Sequence, residues 1–437
     1  MSLMGTVRWA PFIVSTVLFV GVYVGILSEK VHRTIVTLSG AALMLVLGQW
    51  LGFYSFDQAM SEIDFNTLIL LLGMMVVVRI FKATGYFEYL AIVVAKLARG
   101  RSWLLMIYLA VVTAVLSMIL DNVTTVIIIA PITFSIADIL GLSPIPFLMG
   151  EVLLSNVGGV ATLIGDPPNI LIGSAAGLGF NDFVIHLGPI VVVALVAVIA
   201  LLLLRYRHQL RVKPRNFDRI LEIDAREAVT DWRTTKRMIV VIAATIVLFI
   251  LHEPLGLAPG IVALVSAALG LFWVRPDLEA VLKDVHWDVL LFFAALFVIV
   301  GGLSAAGVLD SVAEAMAALT QRGTILAALV VLWGSALMSG LVDNVPFTIV
   351  MLPVIGALSA HGVETAALWW ALALGVGFGG NATPVGATAN VIVMSMSEHA
   401  GSPITTKEWL KTGVMSTIVS CSAASLLLIA ALQLGWI

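Results

Sequence analysis

Along most of this chain apolar residues come in unbroken runs, without the one-face stripes of a water-soluble fold. Segments centred on Pro11–Leu27, Leu68–Ile80, Leu104–Leu120, Pro189–Leu204, Met238–Leu251, Ile261–Val274, Val289–Val300, Ile325–Met338 and Val414–Leu432 are apolar nearly all round. About 18 or more such residues cross a bilayer core of roughly 30 Å as a helix. A helix apolar on every face needs lipid or protein on every side. The pattern predicts an all-α polytopic membrane protein. One long polar stretch, Arg205–Arg237, carries ten Lys or Arg among 33 residues and reads as a cytoplasmic linker. It divides the chain into a first transmembrane repeat (1–204), the linker (205–237) and a second repeat (238–437).

The two halves repeat each other. Phe65-Asn66-Thr67-Leu68 returns as Trp287-Asp288-Val289-Leu290, and Asp121-Asn122-Val123 as Asp343-Asn344-Val345, both at an offset of 222. Ser117 falls on Ser339 and Pro131 on Pro353 in the same register. Gly158-Gly159-Val160-Ala161-Thr162 then matches Gly379-Gly380-Asn381-Ala382-Thr383 at an offset of 221, with Asn169 on Asn390. Each half holds about five crossings; in the first they lie near residues 11–28, 33–51, 65–82, 147–175 and 183–205. An apolar pair turning at Asp-Asn (102–138 in the first half) completes the unit, as a re-entrant hairpin or as two full spans. Either way the pair returns to its own side, so each half has an odd number of crossings and the second copy is inverted.

Charge tests this topology. With the linker in the cytoplasm, 20 of the 23 basic residues fall on cytoplasmic loops; Arg8 and Arg322 lie opposite and Arg79 within a span. That is the bias the positive-inside rule expects, and it places the protein in a bacterial inner membrane. The segment Tyr86–Leu97 reads as an interfacial amphipathic helix, and His186, His252 and His361 read as interfacial. Only 11% of residues are charged and mean hydropathy is +1.10, against about 25% charged in a soluble domain. The first apolar segment lacks a basic start and a cleavage site, and reads as a retained helix.

Candidate chemistry sits where the apolar helices break. An unsatisfied backbone group in lipid costs several kcal/mol, so breaks mark cavities or protein-lined sites. Four clusters break them: Asp121-Asn122-Val123-Thr124-Thr125, Ser155 to Asn169, Asp343 to Thr348, and Gly377 to Asn390. Glycine lets the chain unwind, proline ends a helix, and freed helix N-termini and carbonyls can hold ions. Small polar residues also serve as helix-packing contacts, but packing does not call for Asp-Asn or Pro-Pro at mid-depth. A carboxylate at the bilayer centre costs at least ~2.5–3.5 kcal/mol and marks function by default. Asp121, Asp166 and Asp343 are therefore candidates for proton coupling. Asp121 and Asp343 are equally placed to cap the helices that follow; Asp166 has no acidic counterpart, because Ala387 takes its place. Glu151 reads as facing a cytoplasmic vestibule or marking a helix end, and Arg79, Lys82 and Asp310 as snorkelling side chains.

No H-E-x-x-H, G-x-S-x-G or P-loop occurs, so the chain reads as a transporter and not an enzyme, driven by an ion gradient or by a separate soluble ATPase subunit. The single cysteine, Cys421, excludes an internal disulfide and a cysteine metal cluster. No cofactor and no nucleic-acid partner are expected; the partners are the bilayer and a small inorganic solute.

The four broken clusters resemble the motifs of the ion transporter superfamily, which includes arsenite permeases, P-protein-like carriers, sodium/proton antiporters and divalent-anion/sodium symporters. Gly165-Asp166-Pro167-Pro168-Asn169 is similar to the arsenite permease and P-protein-like branch. The symporters carry Ser-Asn-Thr at the tips, where this chain has Asp-Asn-Val, which argues against a dicarboxylate. The resemblance implies scaffold helices carrying a mobile unit of two opposed hairpins and two broken helices, often in a homodimer. It also implies substrate contacts from Asn122, Thr124, Asn156, Thr162, Asn169, Asn344, Thr348, Asn381, Thr383 and Asn390. The expected activity is export of arsenite or antimonite in exchange for protons; sodium/proton exchange and anion transport are the alternatives.

Overall fold

A computed structural model describes residues 9–28, 30–320, 323–360 and 363–436; Arg8, Arg322 and His361 lie outside them. Within the described residues there are 22 α-helices, two short 3-10 turns and no strand. Nine of these helices are long and apolar enough to cross a membrane.

The helices pair across the repeat. Helix α1 (Trp9–Leu27) matches α13 (Trp232–Leu251), α2 (Arg33–Trp50) matches α14 (Pro259–Val274), and α3 (Phe56–Glu62) matches α15 (Leu278–Lys283). Helix α4 (Phe65–Lys82) matches α16 (Trp287–Ala305), and the arm α5 (Tyr86–Leu97) matches α17 (Val308–Thr320). The hairpin α6 (Ser102–Ser117) and α7 (Asn122–Leu140) returns as α18 (Thr324–Leu341) and α19 (Asn344–Ala360). The broken helix α8 (Ile145–Gly159) and α9 (Pro167–Ala176) returns as α20 (Ala366–Gly379) and α21 (Thr388–His399). Helices α10 (Phe180–His186) and α11 (Gly188–Arg205) answer to α22 (Thr406–Gln433), and α12 (Phe217–Glu222) in the linker has no partner. The all-α inverted-repeat fold read from the sequence is the one observed.

Packing obeys the same exchange. Helix α4 lies on α14 as α16 lies on α2, and α6 lies on α8 as α18 lies on α20. The starts of α2 and α16 sit together, where the Thr34 hydroxyl donates to the Asp288 carbonyl (3.0 Å). The starts of α4 and α14 meet at the other end, where Gly260 N donates to Asn66 Oδ1 (2.8 Å). The two parallel pairs begin on opposite faces, as inversion requires. Hairpin and broken helix approach backbone to backbone. A Cβ on Gly158 would lie 2.5 Å from Ala114 O, and one on Gly379 2.5 Å from Ala336 Cα, so only glycine fits either crossing.

Two bundles result. One contains α1–α4 and α13–α16, the other the hairpins, the broken helices, α11 and α22. They are joined by α5, α10 and α17, with direct packing largely confined to α4 on α9 and α16 on α19. The arm α5 lies against α7 and is tied to the linker, where Lys96 Nζ donates to the carbonyls of Leu221 (3.0 Å) and Ile223 (2.6 Å). Arg79 forms an ion pair with Asp284 at the cytoplasmic end of the first bundle. Apolar side chains such as Val46, Phe272 and Leu426 project outward from both bundles, as lipid contact demands.

Candidate functional site

Both hairpins turn inside the helical bundle, beside the unwound segments of the broken helices, and the carboxylates of their turns cap the returning helices. Asp121 accepts from Thr124 N (2.8 Å) and from the Thr124 hydroxyl (2.5 Å), while Asp343 Oδ1 accepts from Val345 N (3.1 Å). Each turn therefore presents the next residue, Asn122 or Asn344, inward at the first position of a helix. Four helix N-termini, those of α7, α9, α19 and α21, open in this region and turn their positive dipole ends toward it.

Asp166 stands where α9 begins, yet it makes no side-chain cap. The cause lies in the sequence. An N-cap side chain normally accepts from the second or third helical N–H. Pro168 has no N–H, and that of Asn169 is taken by the Asp166 carbonyl (2.9 Å). The carboxylate is thus left for the hairpin tips. Asn122 Nδ2 reaches Asp166 Oδ1 at 3.4 Å, and Asn344 Nδ2 reaches Oδ1 and Oδ2 at 3.3 and 3.4 Å. Asp166 is 1% exposed, and none of its hydrogen-bond partners among the described residues is a cation. One buried carboxyl group is held between amides from the two opposed tips.

Beside it the carboxamides interlock. Asn122 Nδ2 donates to Asn156 Oδ1 (3.0 Å), and Asn156 Nδ2 donates to Asn381 Oδ1 and Asn390 Oδ1 (both 2.9 Å). Asn381 Nδ2 reaches back to the Leu153 carbonyl (3.0 Å). The repeat places Gly377 opposite Asn156 and Val160 opposite Asn381. The architecture is two-fold, but its polarity lies on one side of the axis.

Other candidates have their donors committed within the protein. Asn169 Nδ2 donates to the carbonyls of Gly159, Val160 and Thr162, and Asn390 Nδ2 to those of Gly380 and Thr383. The Thr162 hydroxyl donates to Met118 O and that of Thr383 to Gly340 O, both at 2.5 Å. These mirrored bonds satisfy carbonyls freed where the chain unwinds. Thr348 donates to Asn344 O within its own helix (2.7 Å). Thr124 lines a cavity of about 200 Å³ between the bundles, together with Asp121, Arg33, Asp288, His286 and Thr388. This cavity shares walls with two further hollows, through Arg33 and Thr388 on one side and His286 and Ile127 on the other, the latter also walled by Arg79, Lys82 and Lys283. A separate outer hollow, bounded by Glu62, Asp64 and Ser304, ends at Leu171 and Ile349. Asp166 lines none of them.

Two expectations change. Glu151 faces no vestibule: it is buried in α8, and the Thr133 hydroxyl of the first hairpin donates to it. The α8 run around it is apolar on all sides, so burial wins over a place at the helix end. Arg33, read as a loop residue, begins α2 and crosses to the second hairpin. Its Nη1 donates to Asp343 Oδ2 (3.1 Å) and Thr388 Oγ1 (2.8 Å), and its guanidinium lies 5.0 Å from the Phe292 ring centroid. Nothing in the local sequence beside the Lys30 loop signals this reach.

Residues 23–375 match the family model described as "Citrate transporter", CitMHS. The chain belongs to this family. It is 41% identical to the "Uncharacterized transporter Mb2703" of Mycobacterium bovis, over 95% of this chain and 97% of that protein. It is 32% identical to the human P protein over 97% of this chain, which spans 60% of that longer protein. In fold it resembles the Alcanivorax borkumensis YdaH transporter, whose crystal structure was described as having an unusual topology. The TM-score is 0.62 at 17% identity, covering 93% of this chain and 99% of that one. The protein is a multi-pass membrane transporter, not an enzyme.

Proposed function

We propose that this transporter exports a small oxygen-rich inorganic solute, arsenite or antimonite, in exchange for protons, with Asp166 as the group that carries the proton. One observation carries the reading: a buried carboxylate that, among the described residues, is bonded through its side chain to Asn122 and Asn344 from opposite hairpins. Removing a carboxylate's charge at the bilayer centre relieves a cost of at least ~2.5–3.5 kcal/mol, so a proton there is worth exchanging for cargo. Arsenous acid is neutral and carries three hydroxyls, which carboxamides can bind by donating and accepting. Cys421 is buried in α22 and lines none of the hollows, so thiol capture plays no part.

Sodium is the second reading, and a specific atom favours it. Asn122 Oδ1 is buried without a partner beside Asp166, and an alkali cation would take oxygen ligands of this kind. An anion ranks third, because Arg33, the cation lining the cavity, is already paired with Asp343. The test is radiolabelled arsenite accumulation in energised everted vesicles, with and without a protonophore. Protonophore-sensitive uptake is expected. No arsenite uptake, with sodium-driven proton movement instead, would transfer the site to sodium.

A further inference from the structure

The two hairpin tips are copies of one sequence, yet their surroundings differ in a way that bears on the cycle. Asp343 caps its helix with Oδ1, and its Oδ2 accepts both from Arg33 of the other bundle and from the Thr388 hydroxyl of its own (3.0 Å). Asp121 caps its helix one residue further on, at Thr124 N, and its remaining oxygen takes the hydroxyl of that same Thr124. Among the described residues, the Arg33–Asp343 pair is the ion pair that joins the two bundles. Arg79–Asp284 lies within the first bundle, Arg205–Glu408 within the second, and His252–Glu253 within one chain turn.

Position gives the pair a direction. Arg33 is the first residue of α2, at the cytoplasmic end of the first bundle, and it borders the cytoplasmic hollows. The second hairpin enters from the outer face, so its tip meets Arg33 only when it has travelled toward the cytoplasm. In the mirrored state the first tip would meet the start of α14, the counterpart of α2. At the repeat offset of 222 Arg33 falls on Leu255, and the start of α14 itself reads Pro259-Gly260-Ile261-Val262; none of these can pair with Asp121.

We propose that Arg33 is a positioning residue of the transport cycle, a one-sided latch. It holds Asp343, and hence Asn344 on Asp166, at the cytoplasmic end of travel, and nothing equivalent holds the outer end. Asp343 and Asn344 are adjacent, so the residue gripped by the scaffold and the residue gripping the buried carboxylate move together. The pair is half-withdrawn from water, with side chains 26% and 14% exposed, so it is less screened than a surface pair. The inference rests on the reading of this chain as an alternating carrier and is independent of which solute it carries.

The repeat supplies matched reporters. Ile127 lines the cytoplasmic cavity, and Ile349, its copy at an offset of 222, lines the outer hollow. In a Cys421→Ser background, Ile127→Cys and Ile349→Cys are labelled with a membrane-impermeant maleimide in everted and right-side-out vesicles. Arg33→Gln is expected to raise the ratio of outer to inner labelling by about fivefold or more, the lower end of coupling between sites. Asp343→Asn keeps the cap and should give the same change. The double variant should add nothing further, and Arg33→Lys should restore most of the wild-type ratio. Purely structural damage would not be rescued by lysine and would not move the two reporters in opposite directions. A ratio unchanged in Arg33→Gln, or additive effects in the double variant, would overturn the latch. Wild-type labelling that does not respond to a proton gradient would overturn the carrier reading, and the latch with it.

Discussion

Replacing Asp166 by asparagine separates chemistry from folding at this site. The carboxylate accepts three contacts, from Asn122 and Asn344, all between 3.3 and 3.4 Å. These are long for charge-assisted bonds, so each is worth no more than about 1.5 kcal/mol. The introduced carboxamide would turn one acceptor into a donor facing a donor and lose one or two of the contacts, a cost of ~1–3 kcal/mol. Against this, the variant removes an ionisable group from the buried site, which offsets much of that cost. The two effects nearly cancel. With roughly 2 °C of melting temperature per kcal/mol at this chain length, Asp166→Asn should melt within a few degrees of wild type in detergent. Proton-coupled flux should nonetheless fall to that of vesicles without the protein. Full flux from a variant with an unshifted melting temperature would remove Asp166 from the mechanism.

Three further outcomes follow from the geometry. Thr162→Val and Thr383→Val each remove the hydroxyl partner of a part-buried carbonyl, Met118 O or Gly340 O, and should lower stability by ~1 kcal/mol in a thermal melt while leaving cargo preference unchanged. Cys421→Ser should leave arsenite transport intact, since the thiol is buried away from the hollows; loss of arsenite flux alone would contradict a thiol-free site. At the cytoplasmic start of α13, the Thr234 hydroxyl and then the Arg233 N–H hold the Asp231 carboxyl below the usual carboxylate range. A depressed folded value stabilises above the unfolded pKa of about 3.9 and is lost as pH falls through the folded one. Acid unfolding of Asp231→Ala should therefore lack that contribution, and the two melting curves should converge at the lowest pH.

Much of this fold could be read in the sequence because breaks in a membrane helix are costly and so are written in Gly, Pro, Asn and Asp. The recurrence of Asp121-Asn122 as Asp343-Asn344 marked both tips, and Gly158-Gly159 with Gly379-Gly380 marked both unwound segments. What each polar side chain bonds could not be read. Asn169 and Asn390 look no different in sequence from Asn122 and Asn344, yet the first two bind local carbonyls and the second two meet Asp166. That division depends on which helix end lies opposite which tip, a tertiary fact. Arg33 escaped for the same reason: its partner, Asp343, is 310 residues away. Asp166 itself was legible as a carboxylate without an acidic counterpart, Ala387 taking its place; that Pro168 leaves it uncapped became clear only with the structure.

The most direct test of the central claim is proton movement in everted vesicles, read with a pH-sensitive dye as arsenite or sodium is added to an established gradient. The account predicts that arsenite collapses the gradient in vesicles carrying the wild-type chain and leaves it intact in vesicles carrying Asp166→Asn. A collapse that survives this substitution, or one that sodium produces and arsenite does not, would contradict it.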